Sequence, residues 1–166
     1  MRRKCFIIAA VALMLAVVSG TVLAQSAELS TTRQFLDRLD SEGIGFQYVG
    51  TNGGMERVDI DLSWTDFDSA RCVVFFGSDL GTVSLRIWDI VRVTAGVNYT
   101  LSALNALNRG HRFAKFVYDE TDATVQVEAD ICVDPDHCGA CVYEMMQRLS
   151  ATLGEDDVRS RLLSLK

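Results

Sequence analysis

Val125, Val127, Ala129 and Ile131 alternate with Gln126, Glu128 and Asp130. A two-residue period places one set on each side of a strand, so this stretch has an apolar face and a charged face. That is an antiparallel strand with one side on a core. Phe113 to Tyr118 supplies its partner across Asp119-Glu120-Thr121-Asp122, a turn with aspartate chemistry but no glycine. The preceding segment has another period. Leu101, Leu104 and Leu107 recur every three residues with Ala103 and Ala106 between them, which is helical spacing. Asn98 is placed to cap this helix and Gly110 to stop it. Asn105 and Asn108 fall on the leucine face. An amide there is hydrogen-bonded to nearby backbone if buried, or faces a partner if it is not.

Upstream, Thr31 and Gln34 have capping-box spacing ahead of a stripe of Phe35, Leu36 and Leu39, and Gly43 ends that helix. Phe46 to Val49 reads as a short strand, followed by a glycine turn at Asn52-Gly53-Gly54. Val58, Ile60, Leu62 and Trp64 alternate with Arg57, Asp59, Asp61 and Ser63. Cys72 to Phe76 is almost continuously apolar, the mark of a central strand covered on both faces. Val83, Leu85 and Ile87 face one way, and Arg86, Trp88 and Ile90 the other. Downstream, Asp134-Pro135 is placed to open a helix whose stripe is Cys141, Val142, Met145, Met146, Leu149 and Leu153. Gly154 breaks it, and Asp156 to Leu165 forms a last amphipathic helix with Val158, Leu162 and Leu165 on one side. Antiparallel strands with helices grouped around them make an α+β fold, an antiparallel β-sheet with helices packed against it. The sheet's second face is then either solvated or paired with a second subunit.

Several of these residues carry a family likeness. L-x-x-L-N-x-L-N-R in Leu101–Arg109, R-F-A-K in Arg112–Lys115 and V-x-V-E-A-D in Val125–Asp130 resemble the YbjN-domain family of bacterial proteins. The apolar run Val73–Gly77 followed by Ser84-Leu85-Arg86 looks like that family's central strand pair. The resemblance implies a type III secretion chaperone-like fold, a protein or peptide partner and a tendency to form a homodimer. It brings no catalytic residue with it, since members are mostly of unknown function or described as regulators of signalling. In secreted relatives it implies a cysteine pair flanking the turn after the central strand. Here those places hold Ser78 and the residues near Val83, so that bridge is absent.

The chain opens with MRRKCFIIAAVALMLAVVSGTVLA. Three basic residues, an apolar core and Val22-x-Ala24 are the parts of a secretory signal peptide cut after Ala24. The competing reading is an uncleaved anchor, since Cys5–Ala24 is 20 residues, just enough to span a bilayer. Removing 24 of the 166 residues leaves 142 (25–166), the size of one domain. Losing three basic residues takes the net charge from −6 to −9. Such acidity opposes nucleic-acid phosphates and anionic membranes, so neither is an expected partner. The expected location is the periplasm or outside the cell.

Chemistry is sparsely signposted. Cys138-Gly139-Ala140-Cys141 stands where a helix start would favour a thiolate. With Cys5 cleaved, Cys72, Cys132, Cys138 and Cys141 form an even set with three pairings. Structural disulfides or buried thiols, thiol–disulfide exchange through Cys138 and Cys141, and a metal site including His137 are the three readings. Exchange motifs are normally faced by a proline loop, but Pro135 is the only proline. The helical stripe also aims Cys141 at the core. Glu128 and Asp130 share one strand face, where mutual repulsion would raise one pKa or solvent would simply screen both. Asp119, Glu120 and Asp122 lack calcium-loop spacing. No nucleophile elbow, zinc-protease helix, phosphate loop or dinucleotide fingerprint occurs. The expectation is an exported, non-enzymatic binding, chaperone-like or regulatory module without a cofactor. Thiol–disulfide exchange is the alternative.

Overall fold

The computed structural model describes residues 27–62, 64, 66–68, 71–79 and 81–166. The expected signal peptide lies outside them. The elements run α1 (Ser30–Ser41), β1 (Gln47–Asn52), β2 (Met55–Asp61), β3 (Arg71–Gly77), β4 (Thr82–Arg92), α2 (Val97–Gly110), β5 (Lys115–Asp119), β6 (Thr124–Cys132), α3 (Cys138–Gly154) and α4 (Asp156–Leu163). The strands form one antiparallel sheet in the order β1-β2-β3-β4-β6-β5. This is the expected α+β architecture. No helix among the described residues is long and apolar enough to cross a membrane.

The apolar strand positions meet the helices in one core. Val58, Ile60, Val74, Phe76, Leu85, Ile87 and Val127 pack with Phe35, Leu39, Leu104, Leu107, Val142, Met146 and Leu149. The opposite register positions are Arg57, Asp59, Val73, Phe75, Arg86 and Glu128. This second face covers itself. Arg57 holds Asp59 through two hydrogen bonds of 2.6 and 2.7 Å and lies over the rings of Phe75 and Trp88. Val73, between Asp59 and Arg86 on neighbouring strands, is fully buried without belonging to the helix-side core. The cover expected over the central strand is therefore made of arginine stems and aromatic rings.

Turn chemistry explains the connections. Gly53 and Gly54 have φ of +60° and +79° between paired Asn52 and Met55, the geometry a two-residue hairpin with matching twist requires. After α1, Gly43 at φ +68° lets its own N–H reach Asp40 and that of Ile44 reach Leu39, closing the helix in a Schellman motif. The β5–β6 turn has no glycine, and Ala123 takes the left-handed conformation at φ +58°.

Several local expectations are corrected. Thr31 caps nothing. α1 starts from Leu29 without a side-chain cap, Thr31 is buried, and the Gln34 amide donates to the Pro135 carbonyl 2.6 Å away. Asn98 lies inside α2, whose cap position is Gly96. Asp134-Pro135 does not open α3, because Asp134 is occupied by the Asp136 N–H and His137 and the helix begins at Cys138. Ile90 leaves the face of Trp88 for the core. β4 carries an irregularity between Ile87 and Val91, with Asp89 at φ +54°, and the two extra residues bring Ile90 into the core beside Val91, which stays on the face of Ile87. α4 docks firmly. Val158, Leu162 and Leu165 are fully buried, and the Leu165 carbonyl accepts the N–H groups of Thr94 and Ala95.

Candidate docking site

The four described cysteines are free thiols. Cys72 and Cys138 are buried, whereas Cys132 and Cys141 are exposed. That reverses the expected orientation of the C-x-x-C pair. Val142, Met146, Leu149 and Leu153 set the phase of the α3 stripe, and Cys138 lies one turn before Val142 while Cys141 falls off it. Burial, then the neighbouring Cys141, pushes the Cys138 thiol up to about 11. An exchange nucleophile needs the opposite, an accessible thiol with a depressed pKa. His137 turns to Asp134, 3.2 Å away. Among the described residues no group of three or more potential metal ligands gathers.

The carboxylates of β6 are held apart by an arginine. Arg86 contacts Asp130 at 2.8 Å and Glu128 at 3.7 Å. The Ser84 hydroxyl, 2.6 Å away, and then Arg86 overcome burial and hold the Asp130 carboxyl below its usual range. Asp130 is therefore tuned away from proton transfer near neutrality. Asp119 and Asp122 accept backbone N–H groups of their own turn.

The two helix amides have different surroundings. Asn105 is exposed, while Asn108 accepts the Phe116 N–H at 2.7 Å and donates to the Phe116 carbonyl at 2.9 Å. The leucine face is rotated from the sequence expectation. Thr100, Leu104 and Leu107 point inward, and Leu101 is exposed.

One buried acid was not anticipated. Glu56 stands in register with Val58 and Ile60 on the helix side of β2 and is fully buried. Its Oε1 accepts the N–H groups of Glu28 and Leu29 and the Tyr48 hydroxyl. Oε2 and the buried Thr31 and Thr32 hydroxyls have no hydrogen-bond partner among the described residues. Strand parity carries the missed signal, since Glu56 interrupts the apolar positions and not the charged ones.

The surface that combines exposure, shape and charge is the loop between α2 and β5. Phe113 is 61% exposed, the most exposed of the large apolar side chains among the described residues. The loop turns it outward because Ala114 and Phe116 take the inward positions at the start of β5. On one side a depression of about 470 Å³ runs to Arg148 and Thr152 on α3 and to Glu155 just after it. On the other, a smaller one of about 130 Å³ is lined by Ala129, Ile131 and Met145 together with Arg112, Lys115, Glu128 and Asp130. Arg148 lies 5.9 Å from the Phe113 ring centre, and His111 packs edge-on to Phe116.

Charge singles out the same place. The described residues include thirteen Lys and Arg, of which seven reach a carboxylate. Four of the other six are Arg109, Arg112, Lys115 and Arg148, all exposed; the last three line the depressions beside Phe113, and Arg109 lies in the last turn of α2 just before them. The sequence signal was available as three cations in the seven residues from Arg109 to Lys115; only the fold adds Arg148.

No family model matches the chain, and no curated protein matches it in sequence. Solved structures do. The chain is similar to YbjN from E. coli, with a TM-score of 0.50 and 13% identity over 81% of this chain and 93% of that one. The fold implied by the sequence resemblance is the fold found. A chain of the HopA1–SchA chaperone–effector complex is similar at a TM-score of 0.45 and 8% identity, covering 76% of this chain and 94% of its own.

Proposed function

We propose that this protein is an exported, non-enzymatic binding module that docks a protein or peptide segment on the ridge of Phe113. The observation that carries the reading is the exposed phenyl ring between two depressions. Exposed aromatics flanked by pockets are typical anchors in protein recognition. The other surfaces offer less. The second sheet face spends its arginines on its own acids and rings, and the C-x-x-C thiol nearest the helix start is buried. Export, to the periplasm or beyond, is supported by the basic, apolar and small-residue sections of the first 24 residues.

Site-specific photo-crosslinking tests the docking surface in the native host. A photoreactive phenylalanine at position 113 is expected to give a discrete heteromeric product, and one at the exposed Asp61 to give none. Equal labelling from both positions, or no product from 113, would refute the reading. A product of twice the chain mass from 113 would assign the ridge to a homodimer instead.

A further inference from the structure

We infer that the segment docking on the Phe113 ridge is acidic and carries an apolar side chain. The inference rests on the ridge being the docking surface and adds the chemistry of the partner. Arg109, Arg112, Lys115 and Arg148 are exposed and form no ion pair with a carboxylate among the described residues. Elsewhere the excess of 22 acidic over 16 basic residues leaves most cations paired. A local cluster of unpaired cations on an acidic protein attracts anions at one point, while the acidic remainder repels them elsewhere. Arg112 lines both depressions, Arg148 the larger and Lys115 the smaller, where Glu128 and Asp130 are already engaged by Arg86, so carboxylates flanking one apolar residue would find a cation on both sides of Phe113. Arginine forks suit carboxylates, which they can hold through two parallel hydrogen bonds. The smaller depression, lined in part by Ala129, Ile131 and Met145, suits an apolar side chain. Four cations on a chain of net charge −6 are a weak base for a nucleic acid, whose binding scales with phosphates neutralised across a long track.

The test uses a fluorescent peptide of alternating Asp and Glu around one central Leu, with a Gln/Asn analogue and a Lys analogue. Fluorescence anisotropy is read against the whole protein, Arg112→Glu/Arg148→Glu, Phe113→Ser and Arg33→Glu. Arg33 is exposed and unpaired on α1, so its reversal controls for overall charge. The acidic peptide is expected to bind, to weaken at least about tenfold with the paired reversal, and to weaken as salt rises. Arg33→Glu is expected to have little effect. Tighter binding of the Lys or Gln/Asn analogue, no effect of the paired reversal, or no binding of the acidic peptide below about 1 mM would overturn the inference. Preference for a thymidine oligonucleotide or phosphatidylglycerol vesicles would overturn it as well. Should charge prove irrelevant while Phe113→Ser still abolishes binding of the uncharged analogue, the ridge stands as the docking surface and only its acidic partner falls. If Phe113→Ser changes nothing and crosslinking from 113 fails, the ridge itself falls.

Discussion

Asn108 takes the place of a seventh strand for Phe116. Its side-chain carbonyl accepts the Phe116 N–H and its amide donates to the Phe116 carbonyl, at 2.7 and 2.9 Å. In an antiparallel pair, residues alternate between bonding the neighbour and pointing both backbone groups away. Phe116 therefore turns its pair to the free edge of β5, where Asn108 reproduces the two bonds a strand would make. Open edges invite pairing with other chains, and proteins blunt them by local devices. At the other edge, β1 carries a register shift between Tyr48 and Gly50, with Gly50 at φ +102°.

Replacing Asn108 with Ala removes both bonds and exposes the edge. The loss is expected to be about 1–3 kcal/mol, because a partly buried N–H and C=O lose their partners together. Self-association is expected to rise with protein concentration. Urea unfolding measures the first effect and analytical ultracentrifugation the second. Unchanged stability would show that water replaces the amide without loss. Asn108→Asp keeps the acceptor but loses the donor, so it is expected to destabilise as well.

These contacts mark how far the sequence could be read. Period-2 and period-3.6 patterns located the sheet and helices because each records one buried face. The Gly53-Gly54 hairpin was legible because positive φ at two successive residues demands such residues. What failed depended on contacts distant in sequence. Thr31 looked like a cap until the burial of α1's first turn brought it beside the sheet. Cys141 appeared to point inward because the stripe was drawn wide enough to hold both Cys141 and Val142, which stand about 100° apart on a helix. Glu56 and the convergence of Arg148 with Arg112 required the folded chain.

Glu56 couples stability to acidity. Burial pushes its carboxyl up. Outweighing that, the Thr32 hydroxyl, which favours the ionised form without meeting it in hydrogen-bond geometry, acts with the Glu28 N–H, the Tyr48 hydroxyl and the Leu29 N–H to hold it below 4.5. A carboxyl whose folded pKa is depressed adds stability that is fully present above its unfolded value. That stability is lost as pH falls through the folded value. Glu56→Gln removes this contribution and is expected to flatten the acid side of the stability curve below about pH 4.5 relative to the parent. Denaturant midpoints taken from pH 7 down to pH 3 would show it; parallel curves would rule out Glu56 as the coupled group.

Thiol accessibility separates the binding reading from disulfide exchange. Cys132 and Cys141 are expected to react quickly with a water-soluble thiol reagent at pH 8. Cys72 and Cys138 are expected to wait for unfolding, since burial first and foremost pushes their thiols up to about 12 and about 11. Peptide mapping by mass spectrometry assigns the label to each residue. Rapid native labelling of Cys138, with catalysis of insulin reduction lost in Cys138→Ser, would restore the exchange reading.

Gly139 is where α3 comes closest to α1. A Cβ at this position would stand 2.7 Å from the Gln34 carbonyl carbon and closer still to its oxygen. Both are helix backbone, so no flexible side chain can move aside. The Gln34 amide also reaches across to the Pro135 carbonyl, which fixes the helices at both ends of the contact. Gly139→Ala is therefore expected to destabilise by about 1–3 kcal/mol despite alanine's better helix propensity. Gly154→Ala is the comparison, because its added Cβ meets the rim of the Trp64 ring at 3.0 Å, a side chain that can shift. The ordering tests the geometry directly. Thermal unfolding should place Gly139→Ala well below Gly154→Ala, and equal or reversed midpoints would mean that α1 and α3 do not approach as closely as the Gln34 contact requires.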